Sequence, residues 1–97
     1  MPDILIVYAR IEAKKDKVDF VKSEVMKLVE PTRNEKGCIQ YILHQDVERP
    51  EVFIFFEKWE DDAACELHMK NSHSLKFVTA INKFVAKIKV SKLKQIC

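Results

Sequence analysis

Four side chains that can move protons or bind aromatic rings lie in one stretch of the sequence, between Phe53 and Phe77. Glu57 and Trp59 end an aromatic run, and His68 and His73 follow an acidic cluster. A carboxylate in apolar surroundings holds its proton more tightly, and imidazole titrates near neutral pH. The sequence therefore predicts a cavity with acid–base chemistry, with Glu57, His68 and His73 as candidate catalytic residues.

Glu57 and Trp59 share one face of an extended segment with Phe53 and Phe55, because side chains alternate along a strand. If that face meets helices, Glu57 is a desolvated proton acceptor at one end of an apolar groove. In the alternative interpretation, Glu57 pairs with a lysine or with Arg10 at the end of a sheet, and Trp59 only closes the core.

The spacing of the two histidines argues against a metal site. His68 and His73 are five residues apart, which on a continuous helix separates them by about 140°. The chain also lacks an HExxH motif or a Cys/His framework. Gly37 is the only glycine, which excludes glycine-rich phosphate loops. The sequence thus predicts no metal and no cofactor, although a kink at Asn71-Ser72 would turn both imidazoles toward one cavity.

Composition indicates one soluble domain over residues 1–97. Hydrophobic residues make up 47% and charged residues 33%, and a net charge of +2 is too small to suggest nucleic-acid binding. No apolar run reaches the roughly 18 residues of a membrane span, and the N-terminus lacks a basic signal region. Three cysteines without metal spacing are typical of free thiols in a reducing compartment. We therefore expect a cytoplasmic protein that binds neither a membrane nor nucleic acid.

Apolar periodicity predicts six elements in the order β-α-β-β-α-β. The predicted bounds are strands at 4–11, 38–47, 52–59 and about 87–96, a helix at 16–30 capped by Asp16, and a helix from an Asp61 cap to Ile88, interrupted at Asn71-Ser72. This order is that of a ferredoxin-like α+β fold, an antiparallel four-stranded sheet with two helices on one face.

Two of the predicted strands are apolar on both faces, at 4–7 and 52–56. Since helices would cover only one face of the sheet, the other would expose a large apolar patch. This predicts a homodimer in which two sheets pack face to face. In the second strand, alternation puts one set on a common face: Ile39, Tyr41, Leu43 and Val47.

The succession of segments resembles the antibiotic biosynthesis monooxygenase family. The pieces are ILIVYARIEA, DKVDFVK, NEKGCIQY and FEKWEDDAACELHMKNSHSLKF, from about Ile4 to Phe84. The most specific are E-x-G-C-x-x-Y, from Glu35 to Tyr41, and the run with Glu57, Trp59, His68 and His73. The resemblance implies a dimeric α+β barrel that binds a small molecule and O₂.

Members of that family include cofactor-independent monooxygenases of quinols and polyketide-derived phenols, in which the substrate supplies the electrons. For this chain, the resemblance implies proton transfer by Glu57, His68 and His73, and cavity walls that include Tyr41, Trp59 and Phe77.

Other branches of the superfamily provide alternative functions. One isomerises a phosphorylated sugar, for which cationic phosphate anchors are available: Arg10, Arg33, Lys36 and Lys58. A haem-degrading branch uses an Asn, a Trp and a His, but the first strand offers no Asn near Val7. A non-catalytic small-molecule-binding dimer is the third alternative.

Overall fold

A computed structural model describes residues 3–97 of the chain. The elements, in order, are β1 (Leu5–Ala13), α1 (Val18–Lys27), α2 (Val29–Arg33), β2 (Cys38–Gln45), β3 (Val52–Trp59), α3 (Asp62–Lys70), α4 (Ser72–Ile81) and β4 (Val85–Leu93).

The four strands form one antiparallel sheet in the order β2-β3-β1-β4. The helices lie on one face of this sheet, and each of the two predicted helices is divided into two segments. This architecture confirms the predicted ferredoxin-like α+β fold. Over residues 3–97, no helix is long and apolar enough to cross a membrane.

The core lies between the sheet and the helices. Alternate residues of β1 and β3 are buried on this side, including Val7, Ile11, Phe55 and Trp59. Val21 of α1 packs against them and is fully buried. β3 has the predicted bounds, and Glu57 is among the alternate side chains of β3 that face the helices.

The first helix differs from its prediction at both ends. It begins after Lys17, with no side-chain cap, so the assignment of Asp16 as N-cap is wrong. It breaks at Leu28, whose N–H donates to the carbonyl of Val25, three residues back, and not to that of Glu24, four residues back, as in an α-helix. The break accommodates Pro31, which lacks an N–H but falls in the first turn of α2, where backbone N–H groups have no helical partner anyway.

The second helical region ends earlier than predicted, at Ile81 instead of Ile88. Val85 and Ile88 belong to β4, which also ends at Leu93 and not near Ile96. The apolar spacing from 77 to 88 fits a helix, but the alternating residues from Val85 onward pair with β1 along its length. Sheet pairing therefore overrides the local helical pattern.

A β-bulge changes the predicted alternation of β2. Cys38 pairs with Trp59 but Gln40 pairs with Lys58, so Ile39 is the extra residue. As a result Cys38 packs against the core with Tyr41, and the prediction that Ile39 shares the face of Tyr41 is wrong, since Ile39 is half exposed. The strand ends at Gln45, and Val47 lies in the following turn with 96% of its surface exposed.

Candidate active site

An apolar cavity of about 270 Å³ lies between the sheet and helices α3 and α4. Its walls combine strand and helix residues: Val7, Ala9, Ile11, Leu28, Tyr41, Phe55, Glu57, Cys65, Glu66, His68, Met69, Ser74, Phe77, Val78, Ile88, Val90 and Lys92. Ligand sites in proteins usually measure about 300–1,000 Å³, so this cavity suits a small ligand.

Glu57 is the buried carboxyl group of the cavity, with only 5% of its surface exposed. The indole Nε1–H of Trp59 donates a hydrogen bond to Glu57 Oε1 at 2.9 Å and fixes the carboxyl group. Burial raises the pKa of Glu57 to about 7, against the lowering effect of the Trp59 hydrogen bond and with a smaller contribution from the charge of Glu35. Glu57 can therefore accept or donate a proton near neutral pH.

His68, His73 and Glu35 form a second ionisable group at the cavity edge. Glu35 Oε2 lies 2.8 Å from Nδ1 of His68 and 2.7 Å from Nε2 of His73. Burial alone would raise the pKa of Glu35, but hydrogen bonds from His68, Asn71 and His73 and attraction to His68 hold that pKa below its ordinary value. An ionised carboxylate only accepts hydrogen bonds, so both facing ring nitrogens carry protons.

This assignment leaves Nε2 of His68 as the free ring nitrogen. It makes no hydrogen bond within residues 3–97, and the imidazole lines the cavity. The indole of Trp59 lies against the imidazole, with ring centroids 4.7 Å apart, and Tyr41 meets it edge-on at 5.7 Å. A carboxylate at Nδ1 with an acceptor at Nε2 is the arrangement that orients a histidine general base.

Tyr41 stays protonated in this environment. Burial raises the pKa of its phenol, with a further increase from the charge of Glu57 and a lowering by the nearby Thr32 hydroxyl. The main chain of Tyr41 is held by Arg33, whose Nε–H donates to its carbonyl at 3.1 Å. Tyr41 is therefore an aromatic wall and a hydrogen-bond donor, not a base.

Gly37 positions the loop that carries Glu35. Its φ of +88° lies in the left-handed region, and a Cβ there would fall 2.6 Å from the Ala64 Cβ of α3. The Gly37 carbonyl accepts a hydrogen bond from Glu60 N at 2.9 Å. The loop can thus approach α3 closely enough for Glu35 to reach His68.

Two side-chain caps position the histidines. Asp61 caps α3 by accepting from Ala64 N at 2.8 Å, as the sequence predicted. Asn71 ends α3 with extended backbone, and its side chain caps α4 by accepting from Ser74 N at 3.0 Å. The predicted interruption is therefore present, and it brings the rings of His68 and His73 to 6.3 Å between centroids.

The predicted site residues fall into three groups. Four of them line the cavity together: Tyr41, Glu57, His68 and Phe77. Trp59 is fully buried behind Glu57 and His68, and His73 lines an adjoining groove with Lys27 and Lys76. Arg10 has the parity opposite to the cavity-lining residues of β1 and pairs with Glu12.

Sequence reasoning missed Glu35 and Ser74 as site residues. Glu35 stands in the E-x-G-C segment, two residues before the only glycine, and that position was the available signal. Ser74 lines the cavity and is 8% exposed, and its Oγ has no hydrogen-bond partner within the described part of the chain. No spacing in the sequence distinguishes Ser74 from the other serines.

Lys92 lies at the cavity rim, and ion pairs with two acidic side chains balance its positive charge. Its Nζ lies 2.8 Å from Asp62 Oδ1 and 2.9 Å from Glu66 Oε1. These contacts connect β4 to α3. No other lysine or arginine lines the cavity over residues 3–97.

The chain belongs to the antibiotic biosynthesis monooxygenase family, whose model matches residues 4–80. Putative monooxygenase YcnE from Bacillus subtilis is 35% identical over 75 residues, which cover 77% of this chain and 79% of YcnE. Protein sll1783 from Synechocystis is 32% identical over 94 residues, which cover 94% of this chain and 64% of sll1783. The chain thus spans less than two thirds of that second relative.

Solved structures show the same fold at similar identity. PA3566 from Pseudomonas aeruginosa is 34% identical, with a TM-score of 0.94 and coverage of 100% of this chain and 98% of its own. A structure described as an antibiotic biosynthesis monooxygenase is 32% identical, with a TM-score of 0.90 and coverage of 96% and 99%. A monooxygenase-like function is therefore supported.

Proposed function

We propose that this protein is a cofactor-independent monooxygenase that oxidises a small phenol or quinol with O₂. The observation that carries the proposal is the meeting of two proton-transfer groups, Glu57 and the Glu35-oriented His68, in one small apolar cavity. Family membership and the name of YcnE, "Putative monooxygenase", support the same reaction class.

The reaction begins with removal of a proton from the substrate hydroxyl by Nε2 of His68. The resulting phenolate gives one electron to O₂, and the two radicals combine to form a C–O bond at a ring carbon that bears hydrogen, which is para to the phenolate oxygen in a phenol and ortho to it in a para-quinol. Loss of the hydrogen on that carbon and cleavage of the O–O bond release water and leave a quinone. One oxygen atom enters the product, and all four electrons come from the substrate.

The cavity residues account for the remaining requirements of this chemistry. Phe55 and Phe77 provide apolar walls for an aromatic ring. Glu57, protonated in part at neutral pH, donates a hydrogen bond to an oxygen that becomes anionic. The unpartnered hydroxyl of Ser74 offers a hydrogen bond to a second polar group of the ligand.

The phospho-sugar alternative finds little support in this cavity. A sugar phosphate needs free cationic anchors. Lys92, the cation at the rim, is already paired with two carboxylates, and Arg10 pairs with Glu12. Apolar walls with buried acidic groups favour an uncharged aromatic over a phosphate dianion.

Two measurements on chelator-treated protein test the proposal. Trp59 is the only tryptophan, so we expect 1-naphthol and 1,4-dihydroxynaphthalene to change its fluorescence on binding beside His68. We also expect oxygen uptake of one O₂ per 1-naphthol oxidised to the quinone, above the buffer blank. No uptake with any phenol or quinol of a broad panel, in protein that is folded by circular dichroism, would contradict the proposal.

A further inference from the structure

We propose that Glu35, His68 and His73 form a binding site for a divalent transition-metal cation, and that an ion bound there switches off proton removal by His68. One carboxylate oxygen and two imidazole nitrogens converge from three separate parts of the chain, and all three atoms lie within 4.8 Å of one another. The site's existence is independent of the proposed function; only the inhibition rests on it.

Metal binding requires the three ligand atoms to rearrange by about an ångström. In a tetrahedral site with bonds of about 2.0–2.2 Å, neighbouring ligand atoms are about 3.4 Å apart. The two N···O distances here are 2.8 and 2.7 Å, set by hydrogen bonds. Each nitrogen therefore moves about 0.6–0.7 Å away from Oε2 on metal binding, and the two nitrogens, as much as 4.8 Å apart, approach each other by up to about 1.4 Å. The proton on each of these nitrogens shifts to the other nitrogen of its ring.

The break between α3 and α4 removes the objection that the sequence raised. On one continuous helix the two histidines would diverge, but Asn71 has extended backbone with a ψ of 166°. The new helix direction turns His73 back toward His68 and the Glu35 carboxylate. The ligands thus come from a loop, from the last turn of α3 and from the first turn of α4.

The donor set and surroundings define the chemistry of the ion. Two imidazoles and one carboxylate suit Zn²⁺, Fe²⁺, Co²⁺ or Ni²⁺ better than Mg²⁺ or Ca²⁺, which prefer oxygen ligands alone. The side chains of Glu35 and His68 are 14% and 7% exposed, and His73 at 28% leaves a path for entry. A coordination position remains for water or another small ligand.

A metal on Nδ1 of His68 reverses the role of its other nitrogen. At present Nδ1–H donates to Glu35 and Nε2 is free to accept a proton. A neutral imidazole coordinated through Nδ1 keeps its proton on Nε2, which then only donates. Binding of the cation therefore removes the acceptor that faces the cavity.

The test uses Zn²⁺ and Co²⁺ with the Cys97→Ser protein, because the exposed terminal thiol is a competing ligand. We expect ZnCl₂ to raise Tm. We expect Co²⁺ to give a visible ligand-field spectrum and to quench Trp59, which stacks on His68. The matched variants are His73→Ala, which removes one ligand, and His44→Ala, which removes the exposed third histidine.

His44→Ala is expected to bind both ions like the parent. Loss of a residue that only hydrogen-bonds to a metal ligand weakens metal binding by about 10–100-fold, so loss of the ligand His73 in His73→Ala should weaken it by at least about tenfold. Equal Zn²⁺-induced Tm shifts in the parent and His73→Ala would overturn the site. A missing Co²⁺ ligand-field spectrum would also overturn it, as would the presence of a sulfur-to-cobalt charge-transfer band.

If the ions bind as expected but the chelated protein consumes no O₂, the metal site stands and the proposed oxidation fails. If chelated protein is active, Zn²⁺ should inhibit it and EDTA should restore it; full activity with the site saturated would refute the switch.

Discussion

At the residue scale, the central feature is a carboxyl group that the fold buries. Glu57 is held by Trp59 at 2.9 Å and has a pKa raised to about 7, above an ordinary value of 4.5. The cause is burial in an apolar cavity, so the ionised form is disfavoured in the folded protein. This property is useful for proton transfer and carries a measurable cost in stability.

We expect the free energy of unfolding to fall as the pH rises through 7. A raised pKa in the folded state stabilises the protein below the unfolded pKa of 4.5, and that contribution is lost as Glu57 ionises. A pKa raised from 4.5 to about 7 corresponds to a full effect of roughly 3 kcal/mol. Urea unfolding of wild-type protein and Glu57→Gln between pH 5 and 8 measures it. Parallel pH profiles for the two proteins would contradict the raised pKa.

The sequence indicated several of these residues correctly but could not identify their contacts. Glu57 and Trp59 share a face because strand parity is a local property. Glu35 was missed because its bond to His68 joins residues 33 positions apart across a loop. The β2 bulge, which moves Cys38 to the core side, has no sequence pattern that would locate it.

At the element scale, the break at Asn71 determines the geometry of the site. It ends α3, begins α4 and lets two histidines reach one carboxylate. The sequence indicated this interruption because Asn and Ser favour helix caps over helix interiors. The true end of α4 was not evident, since pairing of β4 with β1 decides it.

Asn71→Ala is expected to destabilise the protein by about 1 kcal/mol through loss of the α4 cap. Asn71 accepts a hydrogen bond from Ser74 N at 3.0 Å, and alanine leaves that N–H without this partner. Denaturant unfolding measures the change, with Asn71→Ser as the control that keeps a capping oxygen. Equal losses for both variants would show that the cap is not the cause.

At the scale of the whole molecule, we propose that the second face of the sheet packs against another copy of the chain. The side chains of β3 that point away from the Glu57 face include Ile54 and Phe56, which are only partly buried, and helices cover only the other face. An apolar surface of this kind on a sheet is typical of a protein interface. A symmetric pairing of two such faces also closes the barrel that the family resemblance predicts.

Ile54→Asp tests this pairing. A charge at Ile54 would be buried without a partner in the dimer, at a cost of several kcal/mol. We expect the variant to be monomeric or aggregated by sedimentation velocity, whereas wild-type protein sediments as a dimer. Lys22→Asp, at an exposed position of α1 on the other side of the sheet, serves as a charge-change control. A soluble and fully dimeric Ile54→Asp protein would refute the interface.

The most direct test of the account is the role of His68 in oxygen consumption. With 1-naphthol and chelator-treated protein, we expect His68→Ala to lose about 10²–10⁴-fold in rate, the usual contribution of a general base. Lys22→Ala, which removes an exposed side chain of α1, should keep the wild-type rate. Comparable folding of all three proteins is checked by their melting temperatures. Wild-type turnover by a folded His68→Ala protein would contradict the central claim.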